Sequence, residues 1–161
     1  MMTNEQLMNV KRDLVILLVE DNKHIREQVS QGLAKIFDTV LTANDGQQAL
    51  DVLQRVYVDV VISDINMPKM SGVELIRKIR ENEKKVKPII VTTAYQDFQE
   101  VYEKMPNIHL LVKPYTIYDI IKCIDDSEQL IIANQQNEDS FEKLNEVSDI
   151  AKDILKQLRR E

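Results

Sequence analysis

Apolar residues follow two alternating spacings along the chain between residues 14 and 125. Short apolar runs rich in β-branched residues predict five strands, at Leu14–Val19, Thr39–Ala43 (the weakest run), Val58–Ser63, Ile89–Thr93 and Ile108–Val112. Between these runs, apolar residues recur every three or four positions, as in amphipathic helices. Because nearly continuous apolar strands must be covered on both faces, the alternation predicts an α/β domain with a five-stranded parallel sheet and five helices.

Three of the helices have clear apolar faces, formed by Ile25, Val29, Leu33 and Ile36, by Val73, Ile76 and Ile79, and by Ile117, Ile121 and Ile124. Asp45 and Gly46 predict a turn after the second strand. Ser71 and Glu74 have the spacing of a capping box and predict the start of the next helix.

The last 35 residues carry a different pattern, without proline or glycine. Nine positions alternate in steps of three and four, which is the spacing of a coiled coil. We name them the C-terminal seam: Leu130, Ala133, Asn137, Ser140, Leu144, Val147, Ala151, Ile154 and Leu158. The polar residues Asn137 and Ser140 weaken the middle of the seam, which is more regular from Leu144 onward. The pattern divides the chain into an N-terminal extension (1–12), a domain (13–126) and a helical extension (127–161).

Two readings of the C-terminal extension stay open. It either folds back on its own domain as one amphipathic helix, or pairs with a second chain or leads into another domain. Only 35 residues follow residue 126, too few for a winged-helix DNA-binding domain. The chain is therefore either a complete single-domain protein or a fragment of a longer one, and we favour the fragment.

Composition narrows the function classes. The formal net charge of −6 argues against direct binding to nucleic acid or to an anionic membrane. A single cysteine, Cys123, excludes an internal disulfide framework, and three glycines are too few for a glycine-rich phosphate loop. The longest apolar runs are too short to span a bilayer. These features predict a soluble cytoplasmic protein.

Unusual polar residues lie at the predicted carboxyl ends of four strands. Glu20 and Asp21 follow the first strand, Asp64 the third, Thr93 ends the fourth, and Lys113 follows the fifth. Open parallel sheets bind ligands at this edge, beside the point where strand order reverses. The second strand contributes no such residue, as expected of an edge strand in the order 2-1-3-4-5.

The chemistry of this group follows from its charges. Three carboxylates close together repel one another and need a cation or protons. Hard oxygen ligands suit Mg²⁺, with Mn²⁺ as an alternative. Lys113 adds a positive charge and Thr93 a hydroxyl, so the group can hold a phosphoryl moiety on one carboxylate.

Four motifs carry a family resemblance: V-E-D-N at 19–22, S-D-I-N-M-P at 63–68 with S-G at 71–72, T-A-Y at 93–95, and K-P at 113–114. Together they resemble the receiver domain of two-component response regulators, a doubly wound, flavodoxin-like (CheY-like) fold, over residues 13–126. The resemblance implies that Asp64 accepts a phosphoryl group from a histidine kinase or phosphotransfer protein. It also implies a metal site formed by Asp21, Asp64 and the backbone carbonyl of Asn66, with Glu20 acting through water.

The resemblance further implies that Thr93 and Lys113 bind the phosphoryl oxygens, and that the Lys113–Pro114 peptide is cis. One departure is Leu110, which stands where receivers usually carry a switch aromatic. We expect Tyr95 to supply an alternative aromatic, and Asn66, two residues past Asp64, to influence hydrolysis of the acyl phosphate.

Competing functions fit the residues less well. Phosphatases and phosphotransferases that form an aspartyl intermediate are expected to carry a D-x-D motif at the nucleophile, in which the second aspartate donates a proton. This chain has Asn66 at that position, and its amide cannot act as the acid. A flavodoxin-like cofactor carrier needs a hydroxyl- and glycine-rich loop where this chain has Glu20 and Asp21. The favoured function is a phosphoacceptor switch that catalyses only its own phosphorylation and dephosphorylation, and that controls a partner, a homodimer or a C-terminal output domain.

Overall fold

The structure is a computed structural model that describes residues 11–82, 86–94 and 106–136. These residues form five strands and five helices. The strands are β1 (Arg12–Val19), β2 (Phe37–Ala43), β3 (Val60–Asp64), β4 (Ile89–Thr93) and β5 (Ile108–Val112), and the helices are α1 (Lys23–Ala34), α2 (Gly46–Arg55), α3 (Gly72–Asn82), α4 (Ile117–Asp126) and α5 (128–136).

The five strands form one parallel sheet in the order β2-β1-β3-β4-β5, as predicted. The register aligns the ends of the central strands: Val19 pairs with Ser63, Asp64 with Thr92, and Thr93 with Val112. Every strand therefore ends on one side of the sheet, the carboxyl edge, and begins on the opposite side, the amino edge. The carboxyl edge brings together residues that are distant in sequence.

Helices cover both faces of the sheet. One apolar cluster joins the sheet to α2 and α3 through residues such as Ala49, Leu75 and Ile76. The other joins it to α1 and α4 through Leu33 and Ile120, among others. Because both faces of the sheet are covered, β3 and β4 are buried along their whole length, which explains why the first three residues of each strand are all apolar.

Several element boundaries differ from the sequence prediction. β1 begins at Arg12 because its backbone pairs with Phe37, and the Arg12 guanidinium lies 5.7 Å from the Phe37 ring centre. Ile36 lies between α1 and β2, since α1 ends at Ala34. The predicted turn at Asp45 is the start of α2, where the Asp45 carboxylate accepts a hydrogen bond from the Gln48 backbone at 2.8 Å.

The two ends of the domain meet at the amino edge. The Arg12 guanidinium lies 2.7 Å from the carboxylate of Asp125, the second-last residue of α4. Ser127 separates α4 from α5, and α5 packs back on the domain with Ile131 only 3% exposed. Over residues 128–136, the C-terminal extension therefore folds back on its own domain. The seam from Asn137 to Leu158 lies outside the described residues.

Candidate functional site

Three carboxylates converge at the carboxyl edge. Glu20 and Asp21 follow β1, and Asp64 ends β3 beside it. One carboxylate oxygen from each lies within 4.8 Å of those of the other two. Glu20 and Asp64 are buried, whereas Asp21 is exposed and leaves one side of the cluster open to solvent. We name these three residues the acidic cluster.

Asp64 is the most constrained member of the acidic cluster. It is 6% exposed, and its Oδ2 accepts a hydrogen bond from Lys113 Nζ at 2.9 Å. Its Oδ1 accepts from the backbone N–H of Asn66 at 3.3 Å. The residues that follow β1 and β5 thus face the last side chain of β3, which explains how distant sequence motifs come to share one site.

The loop after β3 closes tightly on the backbone of Asp64. The N–H of Gly72 donates to the carbonyl of Ile65 at 2.8 Å, which returns the chain to the end of the strand. A Cβ on Gly72 would lie 2.4 Å from the carbonyl oxygen of Asp64, too close for any side chain. The glycine is therefore required by this close approach. The Ser71 hydroxyl accepts from the Glu74 backbone at 3.2 Å and caps α3, as its position predicts.

The protonation of Glu20 responds to its neighbours. Burial is the largest effect and raises the pKa of its carboxyl to about 7, and the negative charge of Asp64 adds to the rise. A hydrogen bond from the Asn22 backbone and the charge of Lys113 act in the opposite direction. Without a cation, Glu20 is therefore partly protonated at neutral pH.

Lys113 and Thr93 lie at the ends of neighbouring strands. The Lys113 backbone N–H donates to the Thr93 carbonyl at 2.7 Å, and Thr93 is fully buried. The Lys113–Pro114 peptide is cis, as predicted. Burial alone would lower the pKa of the Lys113 ammonium, but the hydrogen bond and the charge of Asp64 outweigh burial and raise it. Lys113 therefore keeps its positive charge beside Asp64.

Tyr115 also belongs to this site, and sequence reasoning missed it. Its side chain hydrogen-bonds to that of Thr92, which pairs with Asp64 in the sheet register. Burial raises the pKa of the Tyr115 hydroxyl, and the charges of Glu20 and Asp64 raise it further. The only signal in the sequence is its position directly after the K-P motif.

Asn66, Leu110 and Tyr95, which the sequence analysis connects with the switch or with hydrolysis of the acyl phosphate, have different surroundings. Asn66 is exposed and meets Asp64 through its backbone. Leu110 is half-buried and packs with the apolar cluster beneath α2 and α3. Tyr95 lies outside the described residues. The neighbouring His109 is directed away from the acidic cluster and contacts Ser127, at the end of α4.

The donor set of the acidic cluster fits a hard divalent cation. It offers only carboxylate oxygens, the ligand type that Mg²⁺ and Mn²⁺ prefer. Two of the three groups are buried, so their mutual repulsion is poorly screened by water. A bound cation would relieve that repulsion.

A family model described as the response regulator receiver domain matches residues 16–125. The chain belongs to this family. The matched range contains the acidic cluster, Thr93 and Lys113, and it runs from the middle of β1 through nearly all of α4. The resemblance drawn from the four sequence motifs is thereby confirmed, as is the doubly wound fold.

Curated relatives contain this domain within longer proteins. The sensor histidine kinase RcsC of Escherichia coli is 36% identical over 112 residues, which are 68% of this chain and 12% of RcsC. The transcriptional regulatory protein PdtaR of Mycobacterium tuberculosis is 32% identical over 113 residues, 68% of this chain and 54% of PdtaR. The matched residues therefore cover only part of either relative.

Solved structures give the same assignment. The chemotaxis protein CheY4 of Vibrio cholerae superposes with a TM-score of 0.64 and 30% identity, covering 71% of this chain and 98% of CheY4. The response regulator TrrA of Thermotoga maritima, solved in complex with Mg²⁺ and BeF, has a TM-score of 0.60 and 31% identity, covering 75% of this chain and 99% of TrrA.

Proposed function

We propose that the chain accepts a phosphoryl group on Asp64 from the phosphohistidine of a histidine kinase or phosphotransfer protein. The observation that carries this proposal is the hydrogen bond from Lys113 to Asp64, within a group of three carboxylates at the carboxyl edge. An isolated buried carboxylate would need only a counter-ion. A carboxylate with a fixed cation and two acidic neighbours has the groups that phosphoryl transfer requires.

The proposed reaction is a displacement at phosphorus. A carboxylate oxygen of Asp64 forms a bond to phosphorus while the P–N bond of phosphohistidine breaks, and the donor imidazole keeps the bonding electron pair and takes up a proton. Lys113, at 2.9 Å from Asp64, neutralises charge on the phosphoryl oxygens, and the Thr93 hydroxyl donates to one of them.

Glu20, Asp21 and Asp64 would hold Mg²⁺ or Mn²⁺, with the backbone carbonyl of Asn66 as a further ligand and Glu20 acting through water. When bound, the cation supplies positive charge that offsets repulsion between the carboxylates and the incoming phosphoryl group. The exposed position of Asp21 leaves this side accessible to a donor protein.

Phosphorylation would act as a switch. It adds about −1.5 to −2 charges beside Lys113 and Thr93, which favours arrangements that bring both groups onto the phosphoryl oxygens. The proposal includes no other catalytic activity, and it places the protein in the cytoplasm. The described residues contain no helix with the length and apolarity needed to cross a membrane. The conformational change caused by phosphorylation would pass through residues 127–161 to a second chain or to an output domain.

Mass spectrometry after incubation with acetyl phosphate and Mg²⁺ tests the proposal. The chain should gain about 80 Da, the mass of one phosphoryl group, and Asp64→Asn should abolish the gain. Asp21→Ala should slow the gain by weakening the cation site, while Asp38→Ala, an exposed carboxylate on β2, should leave it unchanged. Unaltered phosphorylation of the Asp64→Asn variant would refute the assignment.

A further inference from the structure

Arg26 connects α1 to the backbone of the acidic cluster. It is the fourth residue of α1 and is half-buried. Its guanidinium Nη1 donates to the carbonyl of Glu20 at 2.8 Å and to the carbonyl of Asp21 at 3.3 Å. Both acceptors belong to residues whose side chains form the acidic cluster, but the contacts are with the main chain. Arg26 therefore acts on the backbone that carries two of the three carboxylates.

The connection between β1 and α1 is short. Only Glu20, Asp21 and Asn22 lie between the two elements. The Asn22 side chain accepts from the Ile25 backbone at 3.1 Å and caps α1, while the Asn22 N–H donates to Glu20 Oε1 at 3.2 Å. Because the carboxylates of Glu20 and Asp21 project from this connection, its backbone conformation determines how close they lie to Asp64. A donor that holds this backbone therefore also holds the ligands of a cation.

Lys113 and Arg26 both carry positive charge near this site, and they make different contacts. Lys113 donates to the carboxylate of Asp64 at 2.9 Å, so its charge directly offsets that of a cluster member. Arg26 donates to two uncharged carbonyls. Its positive charge close to the acidic cluster would, by itself, repel a divalent cation. Any benefit of Arg26 to cation binding therefore comes from the geometry that it maintains.

We propose that Arg26 is a positioning residue for the acidic cluster. By holding the carbonyls of Glu20 and Asp21, it keeps their carboxylates beside Asp64 before a divalent cation binds. The positioning role deepens the proposed function and rests on it, because the cation held by the acidic cluster is the one that would assist phosphoryl transfer. Residues that hold metal ligands in place, without touching the metal, contribute substantially to metal affinity.

Positioning and charge predict opposite results when a neutral residue replaces Arg26. If the side chain positions the ligands, its loss lets the connection between β1 and α1 move and weakens cation binding. If its charge dominates, its loss removes a repulsion and strengthens cation binding. The direction of the change in Mg²⁺ affinity therefore separates the two roles.

Isothermal titration calorimetry of the full chain with MgCl₂ tests the positioning role. In Arg26→Met, which keeps an apolar stem, the dissociation constant for Mg²⁺ should rise about tenfold, as for other groups that hold metal ligands. Arg26→Gln, whose side chain is too short for both contacts, should give a similar rise, so the result does not depend on one variant. Both hydrogen bonds come from a single nitrogen, and a lysine ammonium has several donors. Arg26→Lys should therefore keep the dissociation constant within about threefold of the wild-type value.

Lys23→Met is the matched control for charge. Lys23 is an exposed cation in the same turn of α1, and its ammonium lies 3.9 Å from the carboxylate of Glu27. The change removes a positive charge without removing a contact to the backbone of the acidic cluster. The Mg²⁺ affinity should therefore equal that of the wild type or increase slightly. Urea denaturation of each variant shows that it is folded under the conditions of the titration.

Mg²⁺ affinity in Arg26→Met that equals or exceeds that of the wild type would overturn the positioning role. A loss of affinity of the same size in Lys23→Met would overturn it as well, because the effect would then not depend on the two carbonyl contacts. A wild-type chain that binds no Mg²⁺ would contradict both the positioning role and the cation site of the proposed function.

Mass spectrometry after incubation with acetyl phosphate reads the proposed function separately. In Arg26→Met, the Mg²⁺ concentration for half-maximal phosphorylation should rise by the same factor as the dissociation constant. The phosphorylation rate at saturating Mg²⁺ should stay close to that of the wild type, because Arg26 positions the cation ligands and does not touch the phosphoryl group. A chain whose Mg²⁺ affinity depends on Arg26 but that gains no phosphoryl group would refute the proposed function and leave the positioning role intact.

Discussion

The two ends of β3 each carry a buried carboxylate, and their surroundings differ sharply. Asp64, at the carboxyl edge, is 6% exposed and faces Lys113 and two further carboxylates. Asp59, at the amino edge, is 4% exposed and accepts hydrogen bonds from neutral groups of Val15 and Gln135. The two residues have nearly equal burial and stand at opposite ends of the same strand, yet only Asp64 belongs to a cluster of carboxylates.

This difference separates a carboxylate that stabilises the fold from the one to which we assign the proposed function. Asp59 is stabilised by donors that fit it and hold α5 in place, so it is complete without a ligand. In the acidic cluster, burial raises the pKa of Glu20 to about 7, and the negative charge of Asp64, which the donors of the cluster only partly offset, adds to the rise. Burial alone would not distinguish these sites, whereas the balance of charge does.

Gly72→Ala should have the largest effect, and it acts on the carboxyl edge alone. The added methyl would meet the Asp64 carbonyl at 2.4 Å, so the loop must move and Asp64 with it. We expect the free energy of unfolding to fall by about 3 kcal/mol, with slower phosphorylation. Urea denaturation and the mass assay measure the two effects. Gly32→Ala, whose Cβ meets only the flexible Ile117 side chain at 3.0 Å, is the control.

Asp59→Ala should remove hydrogen bonds at the amino edge and leave the site at the carboxyl edge unchanged. Removing this carboxylate leaves the Val15 N–H and the Gln135 amide without their acceptor, at a cost of about 2 kcal/mol in unfolding free energy. Urea denaturation should show that loss, while the phosphorylation rate per folded molecule stays unchanged. A stability equal to that of the wild type would show that Asp59 does not anchor α5.

Glu20, at the carboxyl edge, and His109, at the amino edge, should make opposite contributions to the pH dependence of stability when no divalent cation is bound. The pKa of Glu20 is raised from 4.5 to about 7, so the folded state binds its proton more tightly and stability falls as pH rises between these values. Burial lowers the pKa of His109 below 6.5, so stability is lost as pH falls below that value.

The midpoints of urea denaturation, measured in EDTA from acidic to neutral pH, test whether Glu20 and His109 contribute to stability with opposite pH dependence. Glu20→Gln should remove the loss of stability towards neutral pH, and His109→Gln should remove the loss on acidification. Added Mg²⁺ should bind more tightly as pH rises, because protons compete for Glu20. If both variants keep the wild-type pH dependence, other groups control it.

Tyr115→Phe should have the smallest effect. It keeps the packed ring and removes the hydrogen bond to Thr92, at a cost of about 1 kcal/mol. Because Thr92 pairs with Asp64, we also expect a changed lifetime of the phosphorylated state, measured by loss of the mass gain with time. Tyr118→Phe is the control, since Tyr118 is 73% exposed.

Much of the carboxyl edge could be predicted from sequence because apolar strands and their polar ends have local signals. Glu20, Asp21, Asp64, Thr93 and Lys113 each stand at the end of an apolar run, and parallel topology brings such ends together. The strand order and the cis Lys113–Pro114 peptide were also predicted correctly. The individual roles of these residues stay predictions.

The amino edge could not be predicted in this way. Asp59 and Gln135 are 76 residues apart, and neither has a local pattern that indicates the other. The face of α5 that packs on the domain mixes Ile131 with the polar residues Asn134 and Gln135, so the more regular C-terminal seam dominated the sequence pattern. Tyr115 was missed for a related reason, since its polar contact depends on the tertiary position of Thr92.

The ion pair between Arg12 and Asp125 has a consequence for how such a module is joined to others. It brings the first strand and the last receiver helix together on the side of the sheet remote from Asp64. The described chain therefore enters β1 and leaves α4 on that far side, away from the acidic cluster. The same module can therefore be inserted into larger architectures, as in RcsC, where the matched region is 12% of the protein.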